Sequence, residues 1–234
     1  MRKLKILVVL SSFVLLFAID GSAQVKKTKT VTNSEIAGGL KEALTKGVGS
    51  AVKLLGREDG FLANPRVKIP LPRSLQKLEK GLRFAGQGKA VDDFVASMNH
   101  AAEKAVPVAI DVFVDAIKKM TFEDARSILF SGRDDAATMF FRKTSEEKLR
   151  LKFRPIVEEF TAQTGVTSSY KAMIGKAGLA AQFLGKDATD LDGYVTQKAL
   201  DGLFLIVADE EKKIRKDPIG RTTDLLRKVF GILR

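Results

Sequence analysis

Apolar residues recur every three or four positions from Ile36 onward: Ile36, Leu40, Ala43, Leu44, Val48, Ala51, Val52 and Leu55 share one helical stripe. Thr32 and Glu35 stand ahead of it as a capping box and Gly56 follows, which predicts the first helix. The spacing returns at Leu75, Leu78, Leu82 and Ala85, closed by Gly86, and again at Val91, Phe94, Val95, Met98 and Ala101. Pro107 predicts a break before Ile110, Phe113, Val114 and Ile117, and Thr121 predicts the cap of a short helix that Gly132 ends. Asp134 to Arg142 reads as one further short helix. Thr144 to Glu147 matches a second capping box, predicting a new helix with Leu149, Phe153, Ile156, Val157 and Phe160 on one face and a bend at Pro155. A weaker helical stretch around Tyr170 to Ala177, a glycine-punctuated segment to Thr189 and a long helix from about Leu191 to Lys216 follow. Asp217-Pro218 then suits a helix start, with its proline in the first turn. Without a strand series or internal repeat, the expected fold is all-α, a single compact domain of about eight to ten helices.

One segment breaks the pattern. Asp59 to Pro72 holds Pro65, Pro70 and Pro72, which exclude a helix, while Val67, Ile69 and Leu71 alternate with Lys68 and Pro70. The expectation is an extended strap packed across the helices. Its sharper alternative is a ligand-binding lip made by Phe61, Leu62, Arg66, Val67, Ile69 and Leu71.

The opening of the chain has a different character. Arg2, Lys3 and Lys5 precede an apolar run of 14 residues from Ile6 to Ile19, and Gly21-Ser22-Ala23 follows. The run is shorter than the roughly 20 residues of a spanning helix, and the flanks fit a cleavable secretory signal. Residues 1–23 are therefore expected to be a signal peptide cut after Ala23, residues 24–33 a basic linker, and residues 34–234 one helical domain, periplasmic or secreted. No transmembrane segment is expected after cleavage.

Composition then narrows the chemistry. The chain has no cysteine, so thiol nucleophiles, disulfides and cysteine-held metals are excluded. Its net charge of +12 suggests nucleic acid only until it is divided along the chain. Asn33 to Glu211 is nearly neutral, whereas Lys212 to Arg234 carries eight basic residues against two acidic ones. Nucleic acid is not an expected partner. The expected partner is an envelope protein or an anionic membrane surface, met by Lys212, Lys213, Arg215, Lys216, Arg221, Arg227 and Lys228. Beyond residue 216, Ile219, Leu226, Val229, Phe230 and Leu233 would give a basic amphipathic helix.

The strap segment also resembles a signature of the bacterial exported family catalogued as domain of unknown function 4197. Three further stretches resemble the same family: Asp134 to Thr138 leading into Phe141 to Ser145, Ala199 to Phe204, and Arg221 to Leu226. The likeness runs from about Glu35 to Gly231. It implies no reaction, cofactor or catalytic residue.

Direct tests of catalytic patterns find little. His100, the sole histidine, would have to be the base of any serine triad, and no G-x-S-x-G elbow exists. S-x-x-K occurs at Ser50/Lys53, Ser74/Lys77, Ser145/Lys148 and Ser168/Lys171 without its companion motifs, as expected by chance in a lysine-rich chain. The acidic clusters at Asp111/Asp115, Asp134/Asp135 and Asp209 to Glu211 have ordinary explanations in helix dipoles and neighbouring lysines. Gly47-Val48-Gly49 reads as a small-residue helix contact. With one histidine and no EF-hand spacing, no metal site and no cofactor are expected. The leading functional expectation is a noncatalytic exported module; the alternatives are a carrier of an apolar ligand such as a lipid, and an unrecognised envelope hydrolase.

Overall fold

The computed structural model describes residues 32–176 and 185–216. The expected signal peptide, the linker up to residue 31 and the expected amphipathic end, with Arg221, Arg227 and Lys228, lie outside the described residues. Within those residues the fold is all-α: eight helices of nine residues or more and one single turn. In order they are α1 (Asn33–Leu55), α2 (Gln76–Phe84), α3 (Gly88–Ala105), α4 (Ala109–Lys119), α5 (Phe122–Phe130), α6 (Ala136–Gln163), α7 (Gly165–Lys176), α8 (Lys186–Thr189) and α9 (Leu191–Lys216).

Local chemistry accounts for most boundaries. The Glu35 amide donates to the Thr32 hydroxyl and the Thr32 amide to the Glu35 carboxylate, closing the capping box of α1. The Thr121 and Asp124 pair does the same for α5. Gly86 and Gly132 adopt φ of +77° and +71°, so the two glycines that punctuate the sequence end their helices in the left-handed region. Pro107 lies in a 3-10 turn, Val106–Val108, that joins α3 to α4.

The core forms where α1, α3, α4, α6 and α9 meet. Leu40, Leu44, Val48, Ala51 and Leu55 of α1 are buried, as their spacing predicts. The Phe113 ring of α4 meets Phe141 of α6 edge-on at 5.0 Å between centroids and Phe204 of α9 at 6.0 Å. α6 and α9 run antiparallel. The Glu211 carboxylate near the end of α9 accepts from the Ala137 and Thr138 amides at the start of α6, each at 2.9 Å. At the other end, the Thr161 hydroxyl of α6 donates to Asp192 of α9 at 2.7 Å.

Three expectations need correction. The break before Thr144 is absent: α6 is continuous over 28 residues, and the Thr144 hydroxyl donates back to the Phe140 carbonyl instead of capping a new helix. The reason lies at the preceding end. Asp135 makes no side-chain cap, and Glu211 supplies those hydrogen bonds from α9, so the helix starts at Ala136 and passes through the second capping motif. Second, the apolar face expected of α2 is only partly covered, because Leu75 is buried while Leu78 and Leu82 are 48% and 37% exposed. Third, the Gly47-Val48-Gly49 contact is made by Gly47 alone. A Cβ on Gly47 would come 3.1 Å from Ile214, whereas one on Gly49 would meet nothing within 4 Å.

Candidate functional site

The strap lies across α3 and α9, held by polar side chains that rise from those two helices. Its first turn begins at Asp59, whose φ of 58° is a left-handed conformation that aspartate tolerates. Gly60 follows under the end of α1, where a Cβ would come 2.4 Å from the Leu55 carbonyl oxygen; only glycine fits. The buried carboxylate of Glu103 on α3 then accepts the amides of Asp59 (3.2 Å), Phe61 (2.9 Å) and Leu62 (3.1 Å). One turn earlier on α3, Asn99 takes the Ile69 amide at 2.7 Å and returns a bond to the Ile69 carbonyl at 2.9 Å. From α9, the Tyr194 hydroxyl donates to the Pro70 carbonyl at 2.9 Å. Burial first and the Asp187 charge second push the Tyr194 phenol up to about 12.

Between these anchors the alternation of the strap is realised. Val67, Ile69 and Leu71 turn inward and Lys68 and Pro70 outward. Phe61 lies over Gly202 of α9 so closely that a Cβ there would sit 2.7 Å from the phenyl ring. The strap reading therefore describes the segment, and the six residues of the lip reading are placed differently within it. Phe61 and Ile69 are 0% exposed and belong to the core. Leu62 is half-buried, and Val67 and Leu71 reach groove walls only by their edges.

Arg66 is the exception, since its side chain points outward. It makes a two-pronged contact with Asp209 of α9, whose hydrogen bond and charge hold the guanidinium above the ordinary arginine range. This contact sits in an open groove of about 740 Å³ lined by Leu54, Asn64 and Arg66 on one side and by Ile206, Asp209, Glu210, Lys212, Lys213 and Lys216 of α9 on the other. Two sets of residues singled out separately in the sequence thus line one groove. The lysine side chains are more than half exposed; Lys212 and Lys216 make loose pairs, 3.8 and 3.9 Å from Asp134, while Lys213 holds Glu210 closely at 2.5 Å. Exposed pairs of this kind contribute little to stability, so the lysines can exchange partners cheaply.

Arg215 departs from the expected set. It is turned inward, its side chain 12% exposed, and it donates twice to Glu211 at 2.8 and 3.0 Å and once to the Ile128 carbonyl at 3.0 Å. Helical periodicity explains this: Glu211 and Arg215 are one turn apart on the buried face of α9, while Lys212, Lys213 and Lys216 fall outside it.

A second cleft, of about 310 Å³, is apolar and lies among Leu75, Leu78 and Leu82, with Val91 and Phe94 of α3 and Tyr170 of α7 opposite. In two of the S-x-x-K pairs the lysine is engaged elsewhere. Ser145 is buried while Lys148 pairs with Asp115, and Lys171 is committed to Thr161 and Asp192 at 2.8 and 2.7 Å. Thr161 is itself fully buried, so that trio ties α6, α7 and α9 together.

Asn99, Glu103, Tyr194 and Glu211 were not among the sequence-derived site residues. A signal for two of them existed: Val95, Asn99 and Glu103 follow at four-residue spacing, which places polar side chains in an apolar register of α3. The chain matches the model of the family described as protein of unknown function (DUF4197) over residues 30–231. Neither a curated protein nor a solved structure matches the chain.

Proposed function

The chain belongs to the family described as protein of unknown function (DUF4197), and from that premise we propose that it is a noncatalytic, exported helical module that docks on an anionic surface of the cell envelope. The observation that carries this reading is the groove in which Arg66 of the strap faces Lys212, Lys213 and Lys216 of α9. Four exposed cations there pair with three carboxylates, Asp209, Glu210 and Asp134, so a surface bearing phosphates or carboxylates can take over the loose pairs of Lys212 and Lys216. Each cation brought to an anionic bilayer adds about 1 kcal/mol, an attraction that salt screens beyond roughly 8–10 Å. The groove is too open to enclose a small molecule, which favours a surface over a solute. No helix among the described residues is long and apolar enough to cross a membrane, so contact would be peripheral. Export and periplasmic location are part of the proposal and rest on the first 23 residues.

Sedimentation with phosphatidylglycerol vesicles at low salt tests the reading. The protein should pellet with anionic vesicles and not with phosphatidylcholine, and a variant carrying Lys212→Gln, Lys213→Gln and Lys216→Gln should stay in solution. Equal pelleting of variant and parent, or none by either, rejects it.

A second reading has its own observation. The exposed Leu78 and Leu82 beside the apolar cleft suit a carrier of one acyl chain. Native mass spectrometry of protein taken from the envelope distinguishes it, since a carried lipid adds its mass and a clean chain mass counts against it.

A further inference from the structure

Glu103 and Glu211 are the two buried carboxylates among the described residues, and both accept main-chain amides from a distant segment. They differ in how their charge is met. Glu211 has Arg215 against it at 2.8 Å. Glu103 has no lysine or arginine partner among the described residues; the nearest nitrogen of a basic side chain is His100 Nε2 at 4.0 Å from its Oε2. A buried carboxylate without a cationic partner is costly, and a cation placed beside it would offset that cost.

A third group converges on the same point. Asp59 Oδ1 lies 3.4 Å from His100 Nε2, a long separation for a hydrogen bond, and one ligand atom from each of Asp59, His100 and Glu103 lies within 4.8 Å of the others. Metal bonds of about 2.0–2.2 Å in tetrahedral geometry separate neighbouring ligand atoms by about 3.4 Å. The two His100 distances, 3.4 and 4.0 Å, lie near that spacing, and the carboxylates of Asp59 and Glu103, within 4.8 Å of each other, would draw closer around an ion. Lone pairs are available too. Glu103 Oε1 is occupied by two amides, but Oε2 takes only the Asp59 amide at 3.2 Å and keeps capacity on the side facing His100. Asp59 has no lysine or arginine within ion-pair distance among the described residues.

We infer that Asp59, His100 and Glu103 form a binding site for a divalent cation of the zinc class, placed where the strap leaves α1 and crosses α3. One imidazole nitrogen and two carboxylate oxygens suit zinc better than magnesium or calcium, which prefer all-oxygen sites. Nε2 coordinates with the ring proton on Nδ1. The left-handed backbone at Asp59 turns its carboxylate toward α3, and the Glu103 carboxylate is already fixed by three amides, so two of the three ligands are preoriented. Water completes the coordination on the exposed side, where Asp59 and His100 are 54% and 35% exposed. The ion would stand to Glu103 as Arg215 stands to Glu211, and would pin the first turn of the strap. Sequence reading missed the site because Asp59 is 41 residues from His100.

Tag-free full-length protein titrated with Zn²⁺ by calorimetry is expected to take up a single equivalent, and His100→Ala and Asp59→Asn should each bind about tenfold or more weakly. Both residues are exposed enough that circular dichroism should show the parent fold. Glu103→Gln is avoided because Glu103 also holds the strap. His100 is the only histidine in the chain, so its imidazole NMR signals report this site alone: they should shift with the first equivalent of Zn²⁺ and stay in place with equimolar Mg²⁺. No uptake by the parent, equal uptake by the variants, unmoved imidazole signals, or an equal response to Mg²⁺ would each overturn the inference. No vesicle or envelope component enters this test, so its outcome is independent of the docking reading.

Discussion

Asn99 engages both main-chain groups of Ile69, its Oδ1 accepting the amide at 2.7 Å and its Nδ2 donating to the carbonyl at 2.9 Å. The carboxamide offers the strap the pair of bonds that a neighbouring β-strand would offer, from the side of a helix. Both groups of Ile69 are buried, so removing the partner leaves a donor and an acceptor unsatisfied. Asn99→Ala should destabilise the fold by about 2–4 kcal/mol. Urea unfolding checks this by the midpoint, and an unchanged midpoint would show that the strap does not depend on Asn99.

Gly202 and Gly49 make a matched pair of tests. A methyl at Gly202 meets the Phe61 ring at 2.7 Å and Val67 at 3.2 Å, both buried, so Gly202→Ala should cost about 1–3 kcal/mol by overpacking. Gly49 lies inside α1 with open space beside it, and Gly49→Ala should stabilise by about 0.5–1 kcal/mol through helix propensity. Thermal unfolding of the two variants should move Tm in opposite directions; shifts of the same sign would contradict the packing described.

The inward and outward cations of α9 should separate in their effects. Glu211→Ala takes the carboxylate away from the inward-turned Arg215 and removes the cap of α6, which should cost about 3–5 kcal/mol. Lys213→Gln should change stability by no more than about 0.5 kcal/mol. Chemical denaturation compares them directly, and equal effects would mean that Arg215 is no more structural than its neighbours.

The two tyrosines give a pH prediction with a definite sign. Tyr170 and Tyr194 are the only tyrosines and the chain has no tryptophan. Burial comes first for both, and the Asp187 charge adds to it for Tyr194; each phenol is raised to about 12. Unfolded tyrosine ionises near 10. A raised acid contributes stability that is present below the unfolded value and lost as pH climbs through the folded one, here from about 10 to 12. Absorbance at the tyrosinate band should rise late, with unfolding at its midpoint; a reversible titration centred near 10 on a folded protein would contradict it.

Helices were legible wherever a stripe coincided with local caps. Thr32 with Glu35, Thr121, Gly86 and Gly132 all act where their chemistry places them, because each signal is decided within one turn. The second capping motif misled for the same reason in reverse: Thr144 to Glu147 has the right residues, but the start of that helix is settled by Glu211, 74 residues from Ala137. The strap's inward and outward sides were readable from alternation, yet its anchors were not, since Asn99, Glu103 and Tyr194 belong to helices whose placement depends on the whole core. Lys212, Lys213 and Lys216 were identifiable by charge. Their separation from Arg215 required knowing which face of α9 is buried.

The absence of cysteine permits the most direct measurement of the docking reading. An environment-sensitive fluorophore on Asn64→Cys reports the groove, and the same label on Lys152→Cys of α6 reports a surface outside it. Addition of phosphatidylglycerol vesicles at low salt should shift the emission of the Asn64 label to the blue, reverse on raising salt, and leave the Lys152 label unchanged. An unchanged Asn64 label, or equal shifts at both positions, would contradict docking through the groove between Arg66 and the end of α9.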